Sequence, residues 1–199
     1  MKVAVLASGR GTNLQSLLDR AAEGKLRAEV ALVISDNPSS RALERAAGAG
    51  VEILALSGEL LERQELEQRM LGALEEAGVQ LVVLAGYMRL LSKFFLTSFP
   101  GEVINIHPSL LPSFPGLNAQ KQALDYGVKV SGCTVHFVDQ GMDTGPIILQ
   151  QAVPIKEDDG VEELGARILK EEHSLLPEAV NLYAQGKLKR QGRRVIIQV

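Results

Sequence analysis

Short apolar runs that alternate with helical patterns constrain the fold of this chain more than any other feature. Three of these runs are KVAVLA, EVALVIS and LVVLAG, at residues 2–7, 29–35 and 81–86. Uninterrupted runs of this length are typical of strands buried on both faces, as in parallel sheets. The second half adds predicted strands at residues 102–107, 131–138 and 147–153.

Helical patterns fill most of the segments between these strands, and the clearest lie at residues 13–23, 39–50 and 59–78. The last of them places Leu66, Met70, Leu74 and Ala77 on one face. Strands that alternate with helices predict right-handed crossovers. We therefore predict an α/β fold, a three-layer, mostly parallel, twisted sheet flanked by helices, with a Rossmann-like N-terminal half.

A long helix is predicted to start at Asp159, because Asp159 and Glu162 have nearly the spacing of a capping box. Pro177 falls inside this pattern and is expected to end or kink the helix. The tail LKRQGRRVIIQV predicts a final hairpin. Its cluster of Lys and Arg side chains is interpreted as a solvated edge.

Length and composition favour a single domain over residues 1–199, since the chain is 46% hydrophobic and shows no repeat or linker. The formal charge of −3 gives no reason to expect nucleic acid as a partner. The first apolar run is too short for a signal peptide, and no stretch reaches the roughly 18–20 apolar residues of a membrane span. Because Cys133 is the single cysteine, a reducing compartment is expected, so we predict a cytoplasmic chain. From the charge and the apolar runs, we also predict that it binds neither nucleic acid nor membranes.

The loop after the first strand, in VLASGRGTNLQSLL, offers an anion site, because Gly9 and Gly11 allow a tight bend and a close approach of the backbone to a ligand. Amide groups at the start of the following helix favour a phosphate. The other interpretation is a glycine turn closed by a capping box of Thr12 and Gln15. Leu14 occupies the third glycine position of a dinucleotide fingerprint, and no Gly-Lys-Ser/Thr follows for a Walker A loop.

Asn105 and His107 lie on alternate positions of the predicted strand 102–107, so their side chains project from the same face. The carboxyl ends of such strands border the ligand crevice in open α/β sheets. An Asn amide can donate to a developing oxyanion, and a His can donate or shuttle a proton. The loop DQGMDTGP supplies an orienting carboxylate, Asp139 or Asp143. The alternative, a structural histidine and a turn-forming aspartate, stays open.

Other chemistries fit the sequence less well. His107, His136 and His173 lack the spacing of zinc ligands, so no metal site is expected. Cys133 lies in an apolar strand and is most simply a small buried side chain. No serine lies in a G-x-S-x-G elbow. Without a nucleophile, direct transfer between two bound substrates is more natural than a covalent intermediate.

Four segments in this order resemble the folate-dependent formyltransferases: SGRGTNLQ, VVLAGYMRLLS, NIHPSLLPSFPG and GCTVHFVDQGMDTGPIILQ. The N-x-H-P-S-L-L-P run with a downstream D-T-G loop is specific for this superfamily. The S-G-x-G-T-N-L loop favours its phosphoribosylglycinamide members. The resemblance covers roughly residues 1–185 and implies the formyltransferase fold, with a phosphoribosyl-binding half over about 1–100 and a catalytic, folate-binding half over about 101–199.

The resemblance implies that the amine of glycinamide ribonucleotide attacks the formyl carbon of 10-formyltetrahydrofolate, without a metal. Asn105, His107 and Asp143 match the catalytic residues of the family. Asn105 and the imidazolium of His107 would stabilise the carbonyl oxygen as it becomes negative. Asp143 would favour the charged form of the imidazole and order a water that relays a proton.

The same resemblance assigns the substrate contacts. Gly11, Thr12 and Asn13 would hold the phosphate of the ribonucleotide, and Glu172 would bind its glycinamide portion. For Glu172 and Arg63 the alternative is an exposed charge on a helix. The residues that match the folate site are Arg63, Met88, Arg89, Leu90, Leu91, Asn105, Asp139, Gln140, Gly141 and Met142.

Three alternative functions stay open at this point. A formyltransferase that acts on another amine would leave the phosphate loop unexplained. A noncatalytic nucleotide- or folate-binding module would leave the Asn, His and Asp unexplained. In an NAD-dependent dehydrogenase Asp36 would bind ribose, but Leu14 breaks the glycine fingerprint. A homodimer is left open as the assembly.

Overall fold

The computed structural model describes residues 1–198 and contains nine strands and six helices in this part of the chain. The strands are β1 Lys2–Leu6, β2 Glu29–Ser35, β3 Glu52–Ala55, β4 Leu81–Leu84, β5 Glu102–His107, β6 Val130–Phe137, β7 Ile147–Pro154, β8 Leu188–Gln191 and β9 Arg194–Ile197. The helices are α1 Thr12–Ala22, α2 Arg41–Gly48, α3 Arg63–Glu76, α4 Lys93–Ser98, α5 Ala119–Tyr126 and α6 Val161–Ala184.

Strands β1 to β7 form one sheet in the order β3-β2-β1-β4-β5-β6-β7. β1 pairs in parallel with β2 and with β4, and β2 pairs in parallel with β3. β7 is antiparallel to β6. The order 3-2-1-4 is that of a Rossmann-type half-sheet. The predicted fold class, a mostly parallel sheet flanked by helices, is confirmed.

The chain divides into two compact units, Met1–Ile104 and the residues from Asn105 onward. In the first unit, β1 and β4 are buried along almost their whole length, as their uninterrupted apolar runs predict. Helix α3 buries Leu66, Met70 and Leu74 on the face that the sequence predicts. Ser40 caps α2 by accepting a hydrogen bond from the amide of Ala42 at 3.2 Å.

In the second unit, α6 contacts β6 and β7. The buried residues of α6 include Leu164, Ile168 and Leu176, which are fully or almost fully shielded from solvent. Cys133 on β6 is also buried, as predicted. The tail forms an antiparallel hairpin of β8 and β9, which confirms the sequence prediction.

Helix α6 differs from the sequence prediction at two points. Its N-cap is Gly160, whose amide donates to Oε2 of Glu163 at 3.0 Å, so the predicted pair of Asp159 and Glu162 is wrong. Asp159 instead accepts from the amide of Lys156 and from the guanidinium of Arg167. These bonds hold Asp159 outside the helix.

Pro177 lies inside α6, which continues to Ala184, so the prediction of a helix end at this proline is wrong. Pro177 is buried, as are Leu176 and Ala179 beside it. The packing of this face stabilises a helix that a proline alone would interrupt at a cost of about 3 kcal/mol or more.

None of the helices in residues 1–198 combines the length and the apolar character needed to cross a membrane.

Candidate active site

The glycine loop, residues 8–13, connects β1 to α1 in the first unit. Gly11 is the N-cap of α1, with φ of +67°, and no side chain caps this helix. The predicted capping box of Thr12 and Gln15 is therefore wrong, since the Gln15 side chain bonds to Asp19 and to Arg45. The first amides of a helix have no intrahelical acceptor, and the helix dipole favours negative charge there. This helix start therefore suits an anion.

Helix α2 holds the glycine loop through the loop's carbonyl groups. The carbonyl of Gly9 accepts from Oγ of Ser40 at 2.9 Å and from the amide of Ala42 at 3.2 Å. A Cβ atom at Gly11 would lie 2.7 Å from Cα of Ala42, so only glycine fits there. With its carbonyls bound to α2, the loop has a fixed shape before any ligand arrives.

The segment after β4, residues 86–91, lies beside the glycine loop. The amide of Met88 donates to Oγ of Ser8 at 2.9 Å, which ties the two segments together. β1 and β4 flank the point where the strand order reverses, and open α/β sheets bind ligands there. Met88 and Leu90 expose 65% and 59% of their surface, which is unusual for adjacent apolar residues and provides a face for a flat apolar group.

Two arginines connect this segment to its surroundings. Arg63 donates to the carbonyl of Leu90 at 2.6 Å, so it contacts the predicted folate segment and is more than a solvated helix charge. Arg89 bonds to Asp36 at 3.1 Å. This bond occupies one carboxylate oxygen of Asp36, the residue that would bind ribose in the dehydrogenase alternative.

Asn105, His107 and Asp143 meet in the second unit. Nδ2 of Asn105 donates to Oδ1 of Asp143 at 3.4 Å, and Nδ1 of His107 lies 3.4 Å from Oδ2 of the same carboxylate. The amide of Gly116 also donates to Oδ2, at 2.8 Å. Residues that are distant along the chain therefore converge on one carboxylate, as the strand geometry and the D-T-G loop predict.

Both ring nitrogens of His107 face acceptors. Nε2 lies 2.9 Å from the carbonyl oxygen of Phe114, which can only accept, so Nε2 carries a proton. Nδ1 faces the carboxylate of Asp143. The carbonyl and the carboxylate therefore fix the orientation of the imidazole ring. The side chain is only 6% exposed, so a contact with a ligand requires one of these two bonds to be exchanged.

His136 is a member of this cluster that the sequence interpretation missed. Its Nδ1 lies 2.8 Å from the carbonyl of Phe137 and therefore carries a proton. Its Nε2 lies 3.2 Å from Nδ2 of Asn105 and 3.6 Å from Oδ1 of Asp143, so His136 contacts both residues of the cluster. The sequence holds a partial signal, because Thr134 and His136 are polar residues on the same face of a largely apolar strand.

The Asp143 carboxyl is ionised at neutral pH. Burial alone would raise its pKa, but hydrogen bonds from His136 and from the Gly116 amide, with the nearby charge of His107, lower the pKa below its ordinary value. In contrast, burial raises the pKa of the Cys133 thiol to about 12. Cys133 therefore stays protonated, which agrees with the exclusion of a cysteine nucleophile.

Two residues of the cluster have left-handed backbone conformations that side chains rarely adopt. Asp143 has φ of +54° and Phe114 has φ of +52°. Such conformations cost of order 1–3 kcal/mol and persist only where surrounding contacts enforce them. At Phe114 the conformation accompanies the carbonyl contact to His107, and at Asp143 it accompanies the carboxylate contacts described above.

The predicted folate loop and Glu172 also belong to the second unit. Oδ1 of Asp139 accepts from the amide of Gly141 at 3.0 Å and from Oγ1 of Thr144, so Asp139 shapes the loop. Gln140 and Met142 are exposed on it. Glu172 on α6 is only 6% exposed, so the alternative of an exposed helix glutamate is wrong for this residue.

No group of three or more His, Cys, Asp or Glu side chains in residues 1–198 is arranged to hold a metal ion.

Comparisons with known proteins identify the family of this chain. Residues 1–180 match the family described as formyl transferase. The trifunctional purine biosynthetic protein adenosine-3 of Drosophila melanogaster is 48% identical over 189 residues, which are 93% of this chain but 14% of that protein. The phosphoribosylglycinamide formyltransferase of Bacillus subtilis is 44% identical over 180 residues, 90% of this chain and 92% of that protein.

Among solved structures, the crystal structure of glycinamide ribonucleotide transformylase 1 from Symbiobacterium toebii matches with a TM-score of 0.96 and 53% identity. The match covers 100% of this chain and 94% of that chain. The family match over residues 1–180 confirms the resemblance that the four sequence segments predict. This chain belongs to the formyl transferase family.

Proposed function

We propose that this chain transfers the formyl group of 10-formyltetrahydrofolate to the primary amine of glycinamide ribonucleotide, a step of purine synthesis. The observation that carries the proposal is that Asn105 and His107 both contact the carboxylate of Asp143. The names of the relatives that match more than 90% of their own length support the same reaction. That residues 1–199 act as one domain stays a prediction.

The proposed reaction is a direct transfer. The amine nitrogen forms a bond to the formyl carbon, and the carbonyl oxygen becomes negative in a tetrahedral intermediate. The intermediate collapses when the bond from the carbon to N10 of the folate breaks. One proton leaves the attacking amine and one arrives at N10, so the products are formylglycinamide ribonucleotide and tetrahydrofolate.

Each residue of the cluster has a role in this proposal. Asn105 donates an amide proton to the developing oxyanion, for which it gives up its present bond to Asp143. Asp143 is ionised and accepts the amine proton through a water. His107 supplies positive charge beside the carbonyl and keeps Asp143 charged and oriented. Transfer by a placed proton acceptor is worth about 100- to 10,000-fold in rate.

The substrate contacts are proposed from the two units separately. Gly11, Thr12 and Asn13 bind the phosphate, supported by the uncapped start of α1. Glu172 binds the glycinamide portion, since a carboxylate complements an amine.

The folate is proposed to use two segments. The exposed apolar side chains at Met88 and Leu90 support a contact with the pterin, and Arg63 contacts that segment. The loop Asp139–Met142 is proposed as a second folate contact, since Gln140 and Met142 are exposed on it. Arg89 and Leu91 complete the first segment, while Gln140 and Gly141 complete the loop. The cytoplasmic location, the absence of nucleic acid and membrane partners and the homodimer stay predictions.

The test is an assay of tetrahydrofolate release with glycinamide ribonucleotide and with rival amines, such as an amino sugar phosphate and free glycinamide. We expect glycinamide ribonucleotide to be preferred by at least about 100-fold in kcat/KM, which corresponds to roughly 2.7 kcal/mol of transition-state binding. Equal rates with another amine would contradict the assigned substrate. Binding of both ligands without turnover would indicate a noncatalytic module.

The division of the ligands is tested with Thr12→Asp. The added charge lies at the start of α1 and repels a phosphate, so the Kd for the ribonucleotide is expected to rise about tenfold or more. The Kd for a reduced folate should not change. Thr12→Val is the matched control, because it adds no charge. An equal loss of affinity for both ligands would contradict the assignment of the phosphate to the glycine loop.

A further inference from the structure

The C-terminal hairpin, β8 and β9, contacts the loop that carries Asp143. We define the Asp143 loop as residues 138–146. Nη2 of Arg193, at the turn of the hairpin, donates to the carbonyl oxygen of Thr144 at 2.9 Å. β9 also lies against β7, which begins directly after the loop. The basic tail is exposed, as the sequence interpretation predicts, but one of its arginines bonds to the residue next to Asp143.

A second arginine contacts Phe137, the residue directly before the same loop. Cζ of Arg190 lies 4.7 Å from the centroid of the Phe137 ring, which is cation–π geometry. The Phe137 ring also contacts Tyr183, edge-on at 6.4 Å between centroids. The amide of Phe137 donates to the carbonyl of Pro146 at 2.9 Å and closes the loop. The hairpin therefore contacts the loop both at its closure and beside Asp143.

The Asp143 loop needs such contacts because its conformation is strained. Asp143 has a left-handed backbone, and Gly145 approaches so closely that a Cβ there would lie 1.7 Å from the carbonyl oxygen of Phe137. Inside the loop, Asp139 bonds to Gly141 and Thr144. Arg193 is a charged donor that binds the main chain of this loop from outside, and charge-assisted bonds are the stronger kind.

We propose that Arg193 is a positioning residue that holds the Asp143 carboxylate in its working geometry through the Thr144 carbonyl. Arg193 touches neither substrate nor a reacting atom in this proposal. Without it, the loop relaxes part of the time to conformations in which Asp143 leaves Asn105 and His107. The fraction of competent enzyme falls, so kcat falls while the phosphate-binding glycine loop is unaffected. The inference rests on the catalytic role of Asp143 proposed above.

The test compares Arg193→Ala with Arg194→Ala in the full chain. Arg194 is the next residue, is equally basic and exposed, and no bond joins it to the Asp143 loop in the described structure. Loss of one charge-assisted bond is expected to lower kcat about 3- to 10-fold with KM for the ribonucleotide unchanged. Arg194→Ala should stay within about twofold of wild type. Arg193→Lys, which keeps a charged donor, should recover part of the loss.

Two further measurements separate positioning from a general loss of stability. Hydrogen exchange of the backbone amides in residues 139–146 should speed up in Arg193→Ala and not in Arg194→Ala. In a double-mutant cycle, Arg193→Ala should cost nothing further once Asp143→Asn is present. Additive losses, unchanged exchange, or equal effects of the two arginines would overturn the proposal.

The proposed function and this inference can fail separately. If Asp143→Asn keeps full activity, the proposed role of Asp143 is wrong and the inference falls with it. If Asp143→Asn is inactive but Arg193→Ala matches wild type in kcat and in hydrogen exchange, only the inference is wrong.

Discussion

The glycine loop after β1 and the Asp143 loop after β6 both follow buried strands, yet they hold their functional groups by different means. The glycine loop presents main-chain amides, and its own carbonyls are fixed by Ser40 and Ala42 of α2. The Asp143 loop presents one carboxylate, which Asn105, His107 and the Gly116 amide fix directly. Function at the first loop therefore depends on the close approach of its main chain to α2, whereas function at the second depends on the identity of one chemical group.

The sharpest test of this contrast removes the charge of Asp143 without changing its volume. Asp143→Asn is expected to lower kcat by about 100- to 10,000-fold, because the proposed proton acceptor is lost. The circular dichroism spectrum and the melting temperature should stay close to those of wild type. Asp125→Asn is the control, since Asp125 is an exposed residue of α5 whose carboxylate pairs with Lys121. A variant that retained most of its turnover would contradict the contrast.

Replacing Asn105 by Leu is a second change of chemistry at nearly constant volume. Loss of one donor to a developing oxyanion typically costs about 100- to 1000-fold in kcat, and we expect a loss in this range. Steady-state tetrahydrofolate release measures it, with ribonucleotide affinity measured separately by calorimetry. A large rise in KM at unchanged kcat would mean that Asn105 binds the ground state instead.

Gly11→Ala fills the space between the glycine loop and α2 without adding a polar or charged group. Its Cβ would lie 2.7 Å from Cα of Ala42, whereas a Cβ at Gly24, which has the same φ of +67°, meets nothing within 4 Å. Both variants carry a backbone penalty of about 1–2 kcal/mol, and crowding at Gly11 adds about 1–3 kcal/mol. Ribonucleotide affinity should fall at least about tenfold in Gly11→Ala only. Equal stabilities by urea unfolding would contradict the role of space.

The smallest expected effect is the pH dependence of stability that Asp143 contributes. Its pKa is lowered in the folded chain, so its contribution is present above the unfolded pKa of about 3.9 and is lost as the pH falls through the folded value. The difference in unfolding free energy between wild type and Asp143→Asn should therefore shrink below about pH 4. Urea unfolding from pH 6 to pH 2.5 measures this difference. A difference that grows on acidification would contradict the lowered pKa.

Sequence patterns predict the sheet well because its strands carry their own signal. Buried parallel strands such as β1 and β4 need apolar side chains on both faces, so their positions are visible in the sequence. The edge strand β3 was missed since its residues Glu52–Ala55 are mostly exposed and follow no such rule. Pro177 in α6 shows the limit of local rules, because tertiary packing outweighs the helix-breaking tendency of one proline.

The candidate site divides in the same way. Asn105 and His107 are visible because strand alternation is a local rule, and Asp143 is visible because glycines and a proline mark its loop. Arg193 is not visible, and His136 shows only as a polar residue of β6, since the importance of each depends on which distant residue it contacts. Asp159 was misassigned for the same reason, because Arg167, eight positions further along the chain, binds its side chain.

The left-handed backbone at Asp143 also limits which amino acids evolution or a library selection could accept there. Among common residues, glycine, asparagine and aspartate tolerate this conformation best, and of these only aspartate carries a negative charge. A longer acid such as glutamate would have to fit an unfavourable main chain and move its carboxylate by one methylene. Saturation mutagenesis of position 143 is therefore expected to return aspartate alone when growth depends on purine synthesis. A screen for folding alone would also return asparagine and glycine.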